Sequence, residues 1–141
     1  MRFCGIQGGV KRPSHILVAE DDDDDFFLLS RELRKCGFTN VSRAADGRAA
    51  LDYLAGHGEY ADRTRHPVPD VLFLDLKLPV VLGHEVLRAI RQQPGWSAIK
   101  VYVLTGSDEY RDRERIEQLG CEGYFVKPLT SAQVQELFPA A

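Results

Sequence analysis

The sequence predicts an α/β fold in which helices cover both faces of a parallel β-sheet. Four large apolar residues, Val71–Leu74, run without interruption up to Asp75, as in a strand that is buried on both faces. Other short apolar segments alternate with segments of helical periodicity, and this alternation is typical of parallel sheets with right-handed crossovers. With 141 residues, the chain is long enough for one domain with a substantial core and too short for two.

The first strand and the first helix lie on either side of an acidic run. His15–Ala19 is a short apolar strand that leads directly into the consecutive acids 20–25. Apolar residues then recur at helical spacing until Gly37 ends the helix. Each acid in a first helical turn is favourable by about 0.3–1 kcal/mol. This accounts for residues 23–25, but not for the first two acids, which belong to the end of the strand.

The remaining segments repeat this alternation of strand and helix. The later strands are predicted at Val41–Ala45, Val71–Leu74, Ile99–Leu104 and Gly123–Val126. The later helices are predicted around residues 49–54, from Gly83 to Pro94, from Asp108 to Leu119 and after Thr130. Thr130 and Gln133 have the spacing of a capping box, and the last helix that they begin is short because Pro139 follows. Residues 56–69 form a long polar loop, a type that is usually functional or mobile.

Composition and charge argue against several classes of protein. The net charge is −3 and no basic stripe is visible, so nucleic acid is not an expected partner. No apolar run approaches the roughly 20 residues that span a bilayer, so no membrane association is expected. Residues 1–13 lack the apolar core of a signal peptide and are predicted to be a flexible tail before a domain at 14–138. Three cysteines cannot all pair within the chain, and without a secretion signal they are predicted to be free thiols in a reducing cytoplasm.

Polar residues follow four of the predicted strands at the point where each strand ends. They are Glu20 and Asp21, Asp75, Thr105 and Lys127. In the doubly wound, flavodoxin-like sheet order 2-1-3-4-5, with five helices, these strands are neighbours. We therefore expect the polar residues to meet in one pocket at the carboxyl edge of the sheet.

The chemistry of this pocket favours a magnesium ion and a phosphoryl group. Clustered carboxylates repel one another unless a cation is present, and magnesium prefers carboxylate and phosphate oxygens. Lys127 supplies a mobile positive charge and Thr105 supplies a hydroxyl donor. These are the groups needed to transfer a phosphoryl group to the carboxylate of Asp75.

The segments that carry these residues resemble the receiver domain of two-component response regulators. The resemblance covers residues 14–138 and is carried by four motifs in order: residues 17–21, 74–79, 103–106 and 124–128. It implies that Asp75 is the phosphoacceptor. It also implies that magnesium is bound by Asp21, by Glu20 directly or through water, by Asp75 and by the backbone carbonyl of Lys77.

The resemblance further assigns the remaining polar residues. Thr105 would bind the phosphoryl group, Lys127 would pair with it, and the Lys127-Pro128 peptide would be cis. Tyr124 would be an aromatic switch coupled to Thr105; the alternative is a half-buried strand tyrosine.

The function that follows is that of a cytoplasmic phosphoacceptor in signal transduction. The donor would be a phosphohistidine on a sensor kinase or phosphotransfer protein, and the response would be a change at the surface of the fourth helix, fifth strand and fifth helix. Only slow autodephosphorylation is expected, so the protein is not predicted to be an enzyme. A homodimer could form through the same surface, although the short last helix weakens that expectation. Because little chain follows this helix, a single-domain regulator without an output domain is expected.

Two segments depart from compact receivers. The long 56–69 loop, which contains Tyr60, is similar to that of regulators that partner phytochrome-type histidine kinases. After Pro79 the chain continues with three apolar residues, Val80, Val81 and Leu82. These residues either pack under the loop or form a docking patch.

Two other functions use the same fold. A pseudo-receiver scaffold would lack the phosphorylation chemistry, although every expected polar group is present. A phosphatase with an aspartyl-phosphate intermediate usually needs a second acid two residues after the nucleophile, where this chain has Lys77.

Overall fold

A computed structural model describes residues 2–3, 12–106 and 110–140. Within these ranges the strands are β1 (Arg2–Phe3), β2 (Ile16–Ala19), β3 (Val41–Ala44), β4 (Val71–Asp75), β5 (Lys100–Thr105) and β6 (Gly123–Val126). They form one sheet in the order β1-β6-β5-β4-β2-β3. The strands β2 to β6 are parallel, and their order confirms the predicted arrangement 2-1-3-4-5.

The strand registers bring the polar strand ends to one edge of the sheet. Ala19 lies opposite Leu74, so the acids that follow β2 begin level with Asp75 at the end of β4. Thr105 ends β5 opposite Val126, directly before Lys127. The pocket predicted from the sequence therefore has a structural basis in these two pairings.

Three of the five helices among the described residues begin at a residue whose side chain caps them. The helices are α1 (Asp23–Lys35), α2 (Gly47–Ala55), α3 (Gly83–Gln92), α4 (Tyr110–Leu119) and α5 (Ser131–Leu137). The side chains of Asp22 and Asp46 accept hydrogen bonds as N-caps of α1 and α2. Thr130 and Gln133 form the predicted capping box of the short α5. The predicted start of the fourth helix at Asp108 lies outside the described residues.

Two apolar layers cover the sheet and account for the continuous apolar pattern of the inner strands β2 and β4. On one face, Leu17, Leu72 and Val101 pack with apolar residues of α2, α3 and α4. On the other face, Val18 and Phe73 pack with apolar residues of α1 and α5. Because successive strand residues point to opposite faces, both the odd and the even positions must be apolar.

The predicted tail has contacts with the domain at both of its ends. Arg2–Phe3 pairs antiparallel with the edge strand β6. Arg12 donates hydrogen bonds to the carbonyl oxygens of Phe138 and Cys36, at 2.7 and 2.9 Å. Residues 4–11, including Cys4, lie outside the described residues, so tail flexibility stays a prediction there. In the described part of the chain, neither Cys36 nor Cys121 forms a disulfide bond.

The long loop after α2 folds back onto the domain. The rings of Tyr60 and His66 contact that of Tyr53, at centroid distances of 5.1 and 5.8 Å. Arg63 donates hydrogen bonds to the carbonyl oxygens of Tyr53 and Leu54, both at 2.8 Å. Among the described residues, no helix combines the length and apolarity required to cross a membrane.

Candidate phosphorylation site

The acid pair stands at the end of β2. The backbone N–H of Glu20 still donates to the carbonyl of Ala44 at 3.0 Å, which extends the pairing with β3 by one residue. The Glu20 side chain is 4% exposed, whereas Asp21 is exposed. The N–H of Asp22 donates to Glu20 Oε2 at 3.2 Å and fixes the direction of the buried carboxylate.

Asp75 is the last residue of β4 and is 6% exposed. Its Oδ1 accepts a hydrogen bond from the backbone N–H of Lys77 at 3.0 Å. Its Oδ2 accepts a hydrogen bond from Lys127 Nζ, also at 3.0 Å. Both carboxylate oxygens therefore have donors that hold the group at the edge of the sheet.

The acids Glu20, Asp21 and Asp75 form a cluster suited to a divalent cation. Each offers a carboxylate oxygen, and these oxygens lie within 4.8 Å of one another. Carboxylates this close repel when ionised, so a cation between them is favourable. The donors are all hard oxygen atoms, and these are the ligands that magnesium prefers.

Lys127, which follows β6, connects the acids of this cluster. Its Nζ donates to Glu20 Oε1 at 2.5 Å and to Oδ2 of both Asp75 and Asp25 at 3.0 Å. Burial works to lower the pKa of Lys127, but its hydrogen bonds to these carboxylates outweigh burial and hold the pKa above its usual value. Burial raises the pKa of Glu20 to about 7, against the opposing effect of the Lys127 hydrogen bond.

Thr105 and Tyr124 lie on the neighbouring strands β5 and β6. Thr105 is 1% exposed at the end of β5, and its carbonyl accepts a hydrogen bond from the N–H of Lys127 at 2.7 Å. Tyr124 is buried, rather than half-buried, and the Arg113 guanidinium lies 5.3 Å from the centroid of its ring. The Lys127-Pro128 peptide bond is cis.

Two residues of this region had no assigned role from the sequence. Arg43 on β3 binds the backbone of the acid pair, and nothing in the local sequence distinguishes it from a solvent-facing strand residue. Asp25 contacts Lys127. From the sequence alone, its presence was explained by the preference for acids in a first helical turn. The run of consecutive aspartates is the sequence feature that could have drawn attention to Asp25.

The apolar segment after Pro79 is partly packed and partly exposed, and its use as a docking patch stays a prediction. Val81 packs against the core cluster next to α2 and α3. Val80 and Leu82 are exposed, at 76% and 48%. Val80 also has φ 71°, a conformation that is strained for a β-branched residue. One residue is thus tucked under the loop, and its two neighbours are presented to solvent beside the site.

Comparison with known proteins gives matches that cover most of this chain. The family model of the response regulator receiver domain matches residues 16–138. The probable methanogenesis regulatory protein FilR2 of Methanothrix harundinacea is 40% identical over 119 residues, which are 84% of this chain and 74% of FilR2.

Solved structures are similar over most of their length. The bacteriophytochrome response regulator AtBRR is 39% identical with a TM-score of 0.76, and the match covers 87% of this chain and 88% of AtBRR. The Mn²⁺-bound form of response regulator Rcp1 is 32% identical with a TM-score of 0.78, covering 89% and 93%. The likeness to AtBRR confirms the predicted similarity to phytochrome regulators.

Proposed function

Since the chain belongs to the receiver domain family of response regulators, we propose that Asp75 is the residue that accepts the phosphoryl group. Receiver domains are phosphoacceptors in two-component signalling rather than classical enzymes, and they interact with histidine kinases or phosphotransfer proteins. The observation that carries the proposal is the position of Asp75. Its buried carboxylate lies within 4.8 Å of two further acids and 3.0 Å from a lysine ammonium group.

The acids beside Asp75 would hold the divalent cation that receiver domains bind at an acidic pocket. We assign magnesium to Glu20, Asp21, Asp75 and the backbone carbonyl of Lys77. When bound, magnesium would supply positive charge that screens the carboxylate and the incoming phosphoryl oxygens. An all-oxygen donor set favours a hard cation over the softer transition metals.

The groups around Asp75 have separate roles in the proposed phosphoryl transfer. The N–H of Lys77 holds Oδ1, so the carboxylate is oriented before the donor arrives. An Asp75 oxygen attacks the phosphorus of the phosphohistidine, the P–N bond breaks, and the bond electrons remain with the donor imidazole. Lys127 and the Thr105 hydroxyl would donate hydrogen bonds to the phosphoryl oxygens of the product.

The response would pass from the site to the surface through Thr105 and Tyr124. Thr105 ends β5, and Tyr124 lies on the adjacent β6 opposite Val103. A shift of Thr105 toward the phosphoryl group would change the space available to the Tyr124 ring. The surface of α4, β6 and α5 would then change between two populations, and a homodimer could use this surface.

The proposed setting is the cytoplasm, with a phytochrome-type histidine kinase as the partner. The similarity to AtBRR supports this partner class. Faster transfer of label from an autophosphorylated bacteriophytochrome kinase than from an unrelated sensor kinase would support the assignment. Equal or slower transfer would contradict it.

Labelling with a small phosphodonor tests the phosphoacceptor directly. Purified protein is incubated with radiolabelled acetyl phosphate in parallel reactions that contain either magnesium or EDTA, and the hydroxylamine-sensitive label is counted. Wild type and the control Asp62→Asn, an exposed acid of the long loop, should be labelled only with magnesium present, and Asp75→Asn should not be labelled.

Each other outcome points to a different function. Stoichiometric labelling of Asp75→Asn refutes the assignment of Asp75. Absence of label on wild type favours a pseudo-receiver scaffold, and sustained turnover of a phosphomonoester favours a phosphatase. Slow loss of label from wild type is the autodephosphorylation expected of an acyl phosphate.

A further inference from the structure

Asp25 has a defined position although it lies in an exposed helical turn. Its backbone N–H donates to the N-cap side chain of Asp22 at 2.8 Å, which fixes the first turn of α1. From that turn its Oδ2 reaches Lys127 Nζ at 3.0 Å, across a separation of 102 residues in sequence. The neighbouring Asp24 belongs to the same turn and is exposed.

The three carboxylates that Lys127 contacts are not equivalent. Glu20 and Asp75 belong to the acid cluster that fits a cation, and Asp75 must also bond to phosphorus. Asp25 is not a member of that cluster. A lysine ammonium group has three N–H donors. Once Glu20 and Asp75 are engaged elsewhere, Asp25 is the described carboxylate that still holds Lys127.

Lys127 also borders open space at the site. It lines a cavity of about 320 Å³ together with Glu20, Asp25 and apolar side chains that include Leu28, Leu104 and Leu129. Its flexible stem could place the ammonium group in several rotamers within that space. The contact with Asp25 opposes this freedom.

We propose that Asp25 is a positioning residue that keeps Lys127 directed at the phosphoryl group when Glu20 and Asp75 no longer bind it. This inference rests on the proposed phosphorylation of Asp75 and names a further residue for that reaction. Asp25 itself touches neither the phosphoryl group nor the cation. Its effect is transmitted through one charge-assisted hydrogen bond to Lys127.

The direct test is the NMR signal of the Lys127 ammonium group. The ¹⁵Nζ cross-peak, assigned by its absence in Lys127→Arg, is recorded with magnesium and beryllofluoride as the phosphoryl mimic. A held ammonium group exchanges its protons slowly and gives a visible cross-peak. The peak should be present in wild type, lost in Asp25→Ala, and restored in Asp25→Glu. The control Asp24→Ala removes one charge from the same turn and should keep the peak.

The kinetic test uses the rate of labelling by acetyl phosphate. Loss of one charge-assisted hydrogen bond at a partly exposed site should slow Asp25→Ala by about three- to tenfold, with Asp24→Ala within about twofold of wild type. Asp25→Asn keeps the shape and an acceptor oxygen, so it provides an intermediate rate and a second variant if Asp25→Ala does not fold. Equal rates and equal cross-peaks in the Asp25 and Asp24 variants would overturn the proposal.

The two proposals fail in different ways. If wild type takes no label, or Asp75→Asn remains labelled, the proposed function fails. If wild type is labelled and Asp75→Asn is not, but Asp25→Ala behaves as Asp24→Ala does, only the role of Asp25 is refuted.

Discussion

Arg43 donates a hydrogen bond from Nε to the backbone carbonyl oxygen of Glu20 at 3.0 Å. A second nitrogen of the same guanidinium donates to the carbonyl of Asp21 at 3.0 Å, and a third reaches the Asp23 carboxylate at 2.7 Å. A residue of the edge strand β3 therefore fixes the backbone of the acid pair that follows β2. Since side chains follow their backbone, Arg43 helps to orient both acids toward the proposed cation site.

Replacement of Arg43 by lysine should weaken cation binding. Lysine keeps the charge, but a single ammonium group cannot reproduce the fork that binds two carbonyl oxygens and a carboxylate. We expect a loss of affinity for Mn²⁺ of about three- to tenfold, measured as free Mn²⁺ by electron paramagnetic resonance. Arg48→Lys is the matched control because Arg48 contacts only the Asp52 carboxylate in the described contacts, four residues away on α2. Equal affinities in the two variants would contradict the role of Arg43.

Gly83 should not tolerate alanine. A Cβ atom there would lie 2.3 Å from the carbonyl oxygen of Asp75 and 2.6 Å from the Cα of Leu76. The backbone at Asp75, the proposed phosphoacceptor, would have to move, so we expect a stability loss of about 1–3 kcal/mol and at least tenfold slower labelling. Urea unfolding and the acetyl phosphate assay measure the two effects. Gly95→Ala, where no described atom would lie within 4 Å of the new Cβ, should be close to wild type in both.

Replacement of Val80 by asparagine should stabilise the protein. The φ of 71° is costly for valine, whereas asparagine adopts the left-handed region readily. The valine side chain is mostly exposed, so little apolar burial is lost. We expect the free energy of unfolding to rise by about 1 kcal/mol in urea titrations. Val68→Asn, at another exposed valine without positive φ, should give no such gain, and a similar gain at both sites would exclude backbone strain as the cause.

His15 should make stability depend on pH in the weakly acidic range. Its Nε2 lies 3.1 Å from both Tyr53 Oη and Ser42 Oγ. Burial lowers the pKa of His15 below its ordinary value of 6.5, against the opposing effect of Asp70. Below that value the unfolded chain binds a proton that the folded chain does not, so the free energy of unfolding falls as the pH falls.

The contribution of His15 is separated by substitution. Between about pH 7.5 and about pH 5, wild type should lose more stability than His15→Gln in urea unfolding. The control is His57→Gln, which replaces an exposed histidine and should follow wild type. An identical pH dependence in wild type and His15→Gln would show that His15 titrates alike in both states.

The sheet and the meeting of its polar ends could be predicted because both depend on local patterns. An unbroken apolar run such as Val71–Leu74 is typical of a strand in a sheet covered on both faces. Parallel strands then bring their carboxyl ends to one edge, whatever the distance in sequence. Asp75 and Lys127 therefore belong to one pocket by topology alone, before any side chain is placed.

Contacts that depend on the register of one strand against the next, or on the rotation of a helix about its axis, could not be predicted from local patterns. Arg43 reaches the acid pair because β3 lies beside β2 with Val18 opposite Arg43, and the local sequence does not contain that register. The acids of the α1 first turn are chemically alike, and the rotation of the helix decides that Asp25 contacts Lys127. Likewise, the conformation of one turn decides that Val81 packs against the core whereas Val80 is exposed to solvent.

The sequence by itself determined which residues end the parallel strands, and hence which chemistry collects at their carboxyl edge, because apolar periodicity and sheet topology are properties of the chain pattern. Only the tertiary structure decided which neighbouring charges orient that chemistry. Hydrogen bonds between side chains act over about 3 Å, and positions at that scale are fixed by the packing of whole elements against one another.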